Sequence, residues 1–537
     1  MKQVYITIYN VNDSKMKGCS NLKNETFPSV SINDWVIAAE ASLKGRSLSG
    51  VTTKTAEGIE LKPLYTKEDR PSEETLPGQA PFTRGFHFPQ AFPKTSPTLE
   101  QDLISSGAAA GVFPTDSAIQ NLHNHQQIAI NTVPYHMGGA HAVQELALAL
   151  SEAAHHLKIA SDKNQAASAF LFHFAAGSVF FTEIAKLRAF KTLWHAFTQA
   201  FELDESIKPL ISVETSEAAM SLLDPHVNML RAGSTAFAAV IGSADYVTVK
   251  PFDDITDEPA AHSKRLAAAI PHLLQHEALL DKVIDPAGGS YYIEALTNET
   301  GRLAWDLFAD IEEAGGIGDV LKAGTIQRDI QAVYEERRHK IATRQVHMIG
   351  TNMYANLPEQ LKSARQKKAS YKGEGAAIKP IKPKRMAEPF EQLRLHSMRI
   401  EQTGQSVEIG LICLGDVKEH KPRADYVEGV MSVAGITSNR SGICKSAEEA
   451  KAFVDQTNLP YYCICGTDEW YDKLAEKVAA DVKKSSAAVK VEIAGKWNKA
   501  VIDGQVASGV DIVQKLEGIL SLFKGGDQRD AKGNESI

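Results

Sequence analysis

Between residues 127 and 280 the chain repeats one pattern, a short apolar run followed by a longer run with helical spacing. QIAINTVPYH (127–136), KPLISVET (208–215) and DYVTVKPF (245–252) read as strands. HAVQELALALSEAAHHLK (141–158), SVFFTEIAKLRAFKTLWHAFTQAF (178–201), HVNMLRAGSTAFAAVIGSA (226–244) and SKRLAAAIPHLLQHEALL (263–280) have the 3.6-residue period of helices. A strand that feeds a helix before the next strand cannot form a hairpin with it. Successive strands must then run parallel, with the helices packed across the sheet. The pattern predicts βαβ units in a barrel or a doubly wound sheet. KVIDPAGGSYYIEALT (282–297) turns through Pro286–Gly289 before a further helix.

The last ~130 residues alternate again. VEIGLICLG (407–415), YYCICG (461–466) and AVKVEIAG (488–495) read as strands, with helices near RADYVEGVMSVAG, over EWYDKLAEKVAADVKK (469–484) and over VDIVQKLEGILSLF (510–523). This pattern predicts a second, doubly wound α/β domain. Ahead of both regions, SINDWVIAAEASLKG predicts a helix with Trp35, Ala38, Ala39 and Leu43 near one face and Gly45 as its stop, and GIELKPLY an extended segment. Residues 66–100, rich in Pro, Thr, Ser and Glu, read as loop. The expected organisation is an N-terminal arm for subunit association (1–80), a barrel-like domain (81–361), a linker (362–404), a second domain (405–525) and a polar tail (526–537). The linker begins with the basic stretch 362–385, carrying Lys367, Lys368, Lys372, Lys379, Lys382, Lys384 and Arg385. That stretch reads as a solvated connector rather than a site for an acidic partner.

Composition removes several classes of function. Lys+Arg total 58 against 66 Asp+Glu, a formal charge of −8, which argues against a dedicated nucleic-acid binder. No run of about 18 apolar residues predicts a membrane span, and MKQVYITIYNVNDSKMKG lacks the apolar core and cleavage site of a secretory signal. The five cysteines, Cys19, Cys413, Cys444, Cys463 and Cys465, are odd in number and sparse, as in a reducing cytoplasm. Cys463 and Cys465 would share one face of a strand. With no second pair or nearby His at zinc spacing they read as core, not metal ligands. His123 and His125 in NLHNHQQ lack acidic or Cys companions at metal spacing and read as loop. No Gly-x-Gly-x-x-Gly or Walker-type loop is present.

Four stretches in order, VPYHMGGAHAVQELA (133–147), FFTEIAKLRAFKTLW (180–194), VIDPAGGSYYIEALT (283–297) and RMAEPFEQLR (385–394), resemble the adenosylcobalamin-dependent acyl-CoA mutases. They are most similar to the small, non-catalytic subunits of methylmalonyl-CoA mutase. DWVIAAEASLKG…GIELKPLY also resembles the small subunit's dimer-forming arm. The resemblance implies an α/β fold: a TIM-barrel-like domain joined to a flavodoxin-like, doubly wound domain of the cobalamin-binding type. It implies adenosylcobalamin in a partner subunit and none in this chain. It also implies a homologous large catalytic subunit as partner, acyl-CoA handled through that complex, a cytoplasmic location, and isomerase activity of the complex rather than of this chain. A degenerate homologue acting as a regulatory or interaction protein is the alternative.

The departures from the family pattern carry as much weight. The catalytic family holds cobalt's lower face through Asp-x-His-x-x-Gly. The matching loop here is LGDVKEHKPRADY, which keeps His420 but has Lys418 for the Asp and Arg423 for the Gly. A cation cannot accept the imidazole N–H. ICGTDEWYD, with Glu469 and Trp470, replaces the small-residue loop that lines the cofactor's nucleotide tail. In the barrel, Tyr135 and His136 match the family's Tyr-His pair, whose His hydrogen-bonds the thioester carbonyl; here they read as vestigial candidates. Leu210 and Ser212 stand at the family's Arg and His positions, Thr248 replaces another His, and TRGFHFPQAF (83–92) keeps only Thr-Arg-Gly of a CoA-binding motif. About 40 residues lie between Gly85 and Gln127 where the family builds its first barrel strands, at roughly 30 residues per βα unit. The barrel is therefore expected to be incomplete or closed in an unusual way, without the Gln and Arg that bind the substrate carboxylate.

Overall fold

The computed structural model describes residues 30–70, 75–87, 91–94, 102–365, 371–485, 488–497 and 499–523. Cys19, Lys367, Lys368, the first part of the arm and the tail 526–537 lie outside the described residues. The chain divides into two units, one made of the described residues up to Thr55 with Glu60–Leu64, the other of Ala56–Ile59 and the residues from Tyr65 onward.

In the first unit, helix α1 (Ile32–Ser42) starts at Ser31, whose hydroxyl accepts the Asp34 N–H while Asp34 caps the Ser31 N–H in return. Gly45, at φ +77°, follows its end. None of the residues of α1 is buried, and Ile37 is 68% exposed. Strands β1 (Thr53–Lys54) and β2 (Glu60–Leu61) pair antiparallel.

In the second unit, α2 (Leu103–Ala110) and β3 (Val112–Pro114) lead into a four-stranded parallel sheet in sequential order: β4 (Ile128–Asn131), β5 (Phe170–Ala176), β6 (Leu210–Thr215) and β7 (Tyr246–Thr248). The connections carry α3 (Val133–Gly138), α4 (Ala142–Ile159), α5 (Phe180–Ala200) and α6 (Pro225–Ile241); α7 (Ala261–His276), α8 (Tyr291–Glu313) and α9 (Thr325–Ala342) follow. Among the described residues the sheet stays open. At the β7 edge only Lys94 bridges, donating its N–H to the Asp245 carbonyl and accepting from the Val247 N–H. At the β4 edge the Asp102 carboxylate accepts the Asn131 N–H at 2.8 Å. The expected strand over 127–136 stops at Asn131. Pro134 then opens α3, because its fixed φ suits a first helical turn and it has no N–H for a ladder.

β5 is buried along its whole length, FLFHFAA, as a parallel strand covered on both faces must be. Phe172 packs its ring 4.6 Å from Phe190 and 5.4 Å from Trp194, both on α5. α8 lies against α4 and α5, so the outer layer is helix on helix. β8 (Gly375–Ala377) pairs antiparallel with β3. It lies within the stretch expected to link the domains, as does α10 (Glu388–Gln402), whose Phe390, Leu393 and Ile400 are buried in the core of the next sheet.

That next sheet is parallel and five-stranded: β10 (Thr437–Arg440), β9 (Glu408–Cys413), β11 (Tyr461–Cys465), β12 (Lys490–Ala494) and β13 (Gly504–Val506), in that spatial order. Its flanking helices include α11 (Val417–Met431), α12 (Ala447–Thr457), α13 (Glu476–Ser485) and α14 (Ile512–Leu520). Cys413, Cys463 and Cys465 point into one buried cluster, while Ile412, Leu414, Tyr462 and Ile464 point into the other. The side chains thus alternate between two covered faces, and Cys463 and Cys465 share a face as the spacing predicts. Burial pushes the Cys413 thiol up to about 12, so these cysteines act as small apolar groups.

Phe172 has no exposed surface and packs against four rings, those of Phe170, Phe174, Phe190 and Trp194. Phe172→Ala is expected to cost about 3–5 kcal/mol of unfolding free energy, read as a lower urea midpoint at unchanged m-value.

Candidate functional site

Open α/β sheets present their sites at the carboxyl ends of the strands. At that end of the four-stranded sheet stands His136, on the short helix α3 after β4 and only 7% exposed. Its Nδ1 lies 2.7 Å from Glu145 Oε1, in the first turn of α4, and its Nε2 lies 2.7 Å from the Ser216 hydroxyl, just past β6. Lys186 of α5, with no exposed surface, reaches Glu145 at 3.3 Å, Glu183 at 2.6 Å and the Ala175 carbonyl at 2.6 Å. Burial pushes the Glu145 carboxyl up, but Lys186 and His136 outweigh it and hold the group below the usual carboxylate range. An ionised Glu145 can only accept, so the ring turns a proton on Nδ1 toward it, and Nε2 faces the Ser216 hydroxyl.

A second ladder of charges continues along the strand ends. His173 of β5 contacts the Ser212 hydroxyl through Nδ1 at 3.0 Å and Glu214 through Nε2 at 3.4 Å. Lys250 pairs with Glu214 at 3.1 Å, and Arg365 pairs with Glu217 at 3.1 Å and Asp254 at 3.3 Å. Burial acts against the Glu214 charge, but His173 and Lys250 bring its carboxyl down to about 2. The interior strand-end positions therefore answer one another.

Tyr135 and His136 are sequence neighbours that face different surroundings. The Tyr135 hydroxyl donates to Glu152 at 2.5 Å in the core, beside Asp102. Burial, then the charge of Asp102, pushes the Glu152 carboxyl well above its ordinary value. Leu210 lies at the opposite, starting end of β6, and Ser212 pairs with His173. Arg84 of the retained Thr-Arg-Gly is bound to Asp285 at 3.0 Å and lines a cavity of about 720 Å³ between α5 and α8. His123 meets His156 at 3.1 Å through ring nitrogens.

In the five-stranded sheet the order reverses between β9 and β11, which makes the crevice at their carboxyl ends the ligand position of a doubly wound sheet. That crevice is filled. Arg423 donates to the Gly466 carbonyl and to Asp468, both at 2.6 Å, and lies over the Tyr471 ring at 4.7 Å. Trp470 packs onto Gly415, at φ +80°, where a Cβ would stand 2.3 Å from the indole Nε1. His420 is on α11, buried, with Nδ1 3.1 Å from the Gly415 carbonyl, while Lys418 is exposed. The sequence reading singled out His136, but not Glu145, Ser216, Lys186, His173 or Glu214. The available signal was charge on an apolar helix face: Glu145 and Glu152 are seven residues apart in a largely apolar helix.

The molecule is thus an α/β protein whose two parallel sheets carry a histidine at one set of strand ends and a filled crevice at the other. The family model described as methylmalonyl-CoA mutase matches residues 114–407, ending just before β9. The chain belongs to the methylmalonyl-CoA mutase family. It is similar to the methylmalonyl-CoA mutase small subunit of Streptomyces virginiae, with 33% identity over 73% of this chain and 64% of that protein. The small subunit of Porphyromonas gingivalis is 31% identical over 68% and 60%, and that of Propionibacterium freudenreichii subsp. shermanii 26% identical over 74% and 63%. The matches therefore span somewhat under two thirds of these relatives. No helix among the described residues is long and apolar enough to cross a membrane.

Glu152 yields a pH prediction. The folded chain holds its proton more tightly than the unfolded chain, whose glutamates titrate near pH ~4.3. This contribution is full below that value and is lost as pH rises through the raised folded-state pKa. Glu152→Gln keeps a partner for Tyr135 and removes the titration. Its urea midpoint is expected to fall less than that of the parent between about pH 5 and 8.

Proposed function

We propose that this chain is the small, non-catalytic subunit of a methylmalonyl-CoA mutase. It would support a homologous large subunit that interconverts methylmalonyl-CoA and succinyl-CoA by an adenosylcobalamin radical mechanism. The four-stranded sheet is read as the retained part of a (βα)8 barrel and the five-stranded sheet as a flavodoxin-like domain that has given up its cofactor. When bound in the partner, the cofactor supplies the adenosyl radical; this chain supplies none of that chemistry.

The observation that carries the reading is the plugged crevice. Arg423 and Trp470 occupy the hollow that a cofactor's nucleotide tail would need. Lys418 cannot take the imidazole proton of His420, whose Nδ1 is already beside the Gly415 carbonyl. The residues present do not fit a cobalamin. His136 supports the same view, because a ring with its proton on Nδ1 and a hydroxyl against Nε2 has no N–H to offer a thioester carbonyl. The unburied helix α1 supports the partner role, since its apolar residues, with Ile32 45% and Ile37 68% exposed, are suited to a second chain.

Mixing the chain with a methylmalonyl-CoA mutase large subunit is expected to give a 1:1 complex on gel filtration, with mutase activity above that of the large subunit alone. A large subunit that is stable and fully active without it sinks the proposal. The chain alone, incubated with adenosylcobalamin and desalted, is expected to retain no corrin absorbance.

A further inference from the structure

We propose that Ser216, His136 and Glu145 form an acyl-transfer triad and that this chain hydrolyses short acyl esters and thioesters by itself. The proposal is independent of the subunit reading.

The geometry is that of an activated serine. Ser216 Oγ lies 2.7 Å from His136 Nε2, and His136 Nδ1 lies 2.7 Å from Glu145 Oε1, so nucleophile, base and orienting carboxylate are linked in series by two short hydrogen bonds. The three residues come from three elements, the end of β6, α3 and the first turn of α4, brought together only at the carboxyl edge of the sheet. Glu145 is buried and ionised with Lys186 as counter-ion, and Lys186 also neutralises Glu183. The ring is thereby held in the tautomer whose Nε2 can take a proton from the serine. The Ala218 N–H donates to Ser216 Oγ at 3.0 Å and fixes the hydroxyl's position.

The hydroxyl lies just below the surface. Ser216 is 9% exposed, and the neighbouring segment has Ser178 exposed and Val179 at 62%. Gly177 stands against the imidazole, where a Cβ would be 3.5 Å from His136 Cε1 and 3.9 Å from Nε2. Three residues on, α5 begins without a side-chain cap on its first turn. An apolar rim at Val179 and the shallow approach favour a short acyl group.

The chemistry balances with water as the only co-reactant. Ser216 Oγ attacks the carbonyl carbon while His136 Nε2 takes the hydroxyl proton. The C–O or C–S bond breaks, and the alcohol or thiol leaves with that proton. Water, deprotonated by His136, then cleaves the acyl-serine ester, releasing a carboxylic acid and restoring the hydroxyl.

The test uses the full chain, purified alone. Diisopropyl fluorophosphate is expected to form one adduct that peptide mass spectrometry locates on Ser216. p-Nitrophenyl acetate is expected to give a burst of about one equivalent of nitrophenol. Ser216→Ala should lose both, and His136→Gln should slow labelling by about 100-fold or more, with melting curves confirming that each variant is folded. A folded parent chain with no adduct on Ser216 overturns the proposal, as does a burst that survives in Ser216→Ala. If His136→Gln does not fold, the parent chain and Ser216→Ala still decide.

Discussion

A fully buried ammonium group, that of Lys186, organises the upper end of the first sheet. An uncompensated charge there would cost several kcal/mol, so the fold must bring carboxylates to it. It does so with Glu183 one turn earlier on the same helix and Glu145 from the helix after β4. Glu145 then orients His136, and His136 meets Ser216 beyond β6. One ion cluster thus ties together the ends of β4, β5 and β6, which no direct sequence neighbour relation connects. The carboxylate beside His136 Nδ1 can only accept, which sets the orientation of the ring.

The same logic extends along the strands, where His173, Ser212, Glu214, Lys250, Glu217 and Arg365 pair among themselves. In the second sheet Trp470 and Arg423 do the corresponding work: an aromatic ring and a guanidinium fill the crevice between β9 and β11 and satisfy the Gly466 carbonyl. Filling a hollow with well-packed side chains stabilises the shell.

Much of this was legible before the structure. The alternation of short apolar runs with amphipathic helices gave the α/β class with parallel sheets. β5 escaped the reading because a strand covered on both faces has no alternation to detect, and FLFHFAA is a plain apolar run. The strand end at 131 was missed because Pro134 acts on backbone geometry rather than hydrophobic pattern. α10, inside the expected linker, was hidden by the basic stretch before it, although its Phe390 and Leu393 are core residues.

By itself the sequence determined the local periods, the parallel connectivity they force, the family and the replacement of a carboxylate by Lys418 and of a glycine by Arg423. These are properties of single residues and short windows. Only the tertiary structure decided that Ser216 meets His136 across 80 positions of chain, that Tyr135 turns into the core while its neighbour does not, and that Trp470 closes onto Gly415. Partners brought together by sheet order and helix packing leave no mark on local periodicity, because either member alone is compatible with many surroundings.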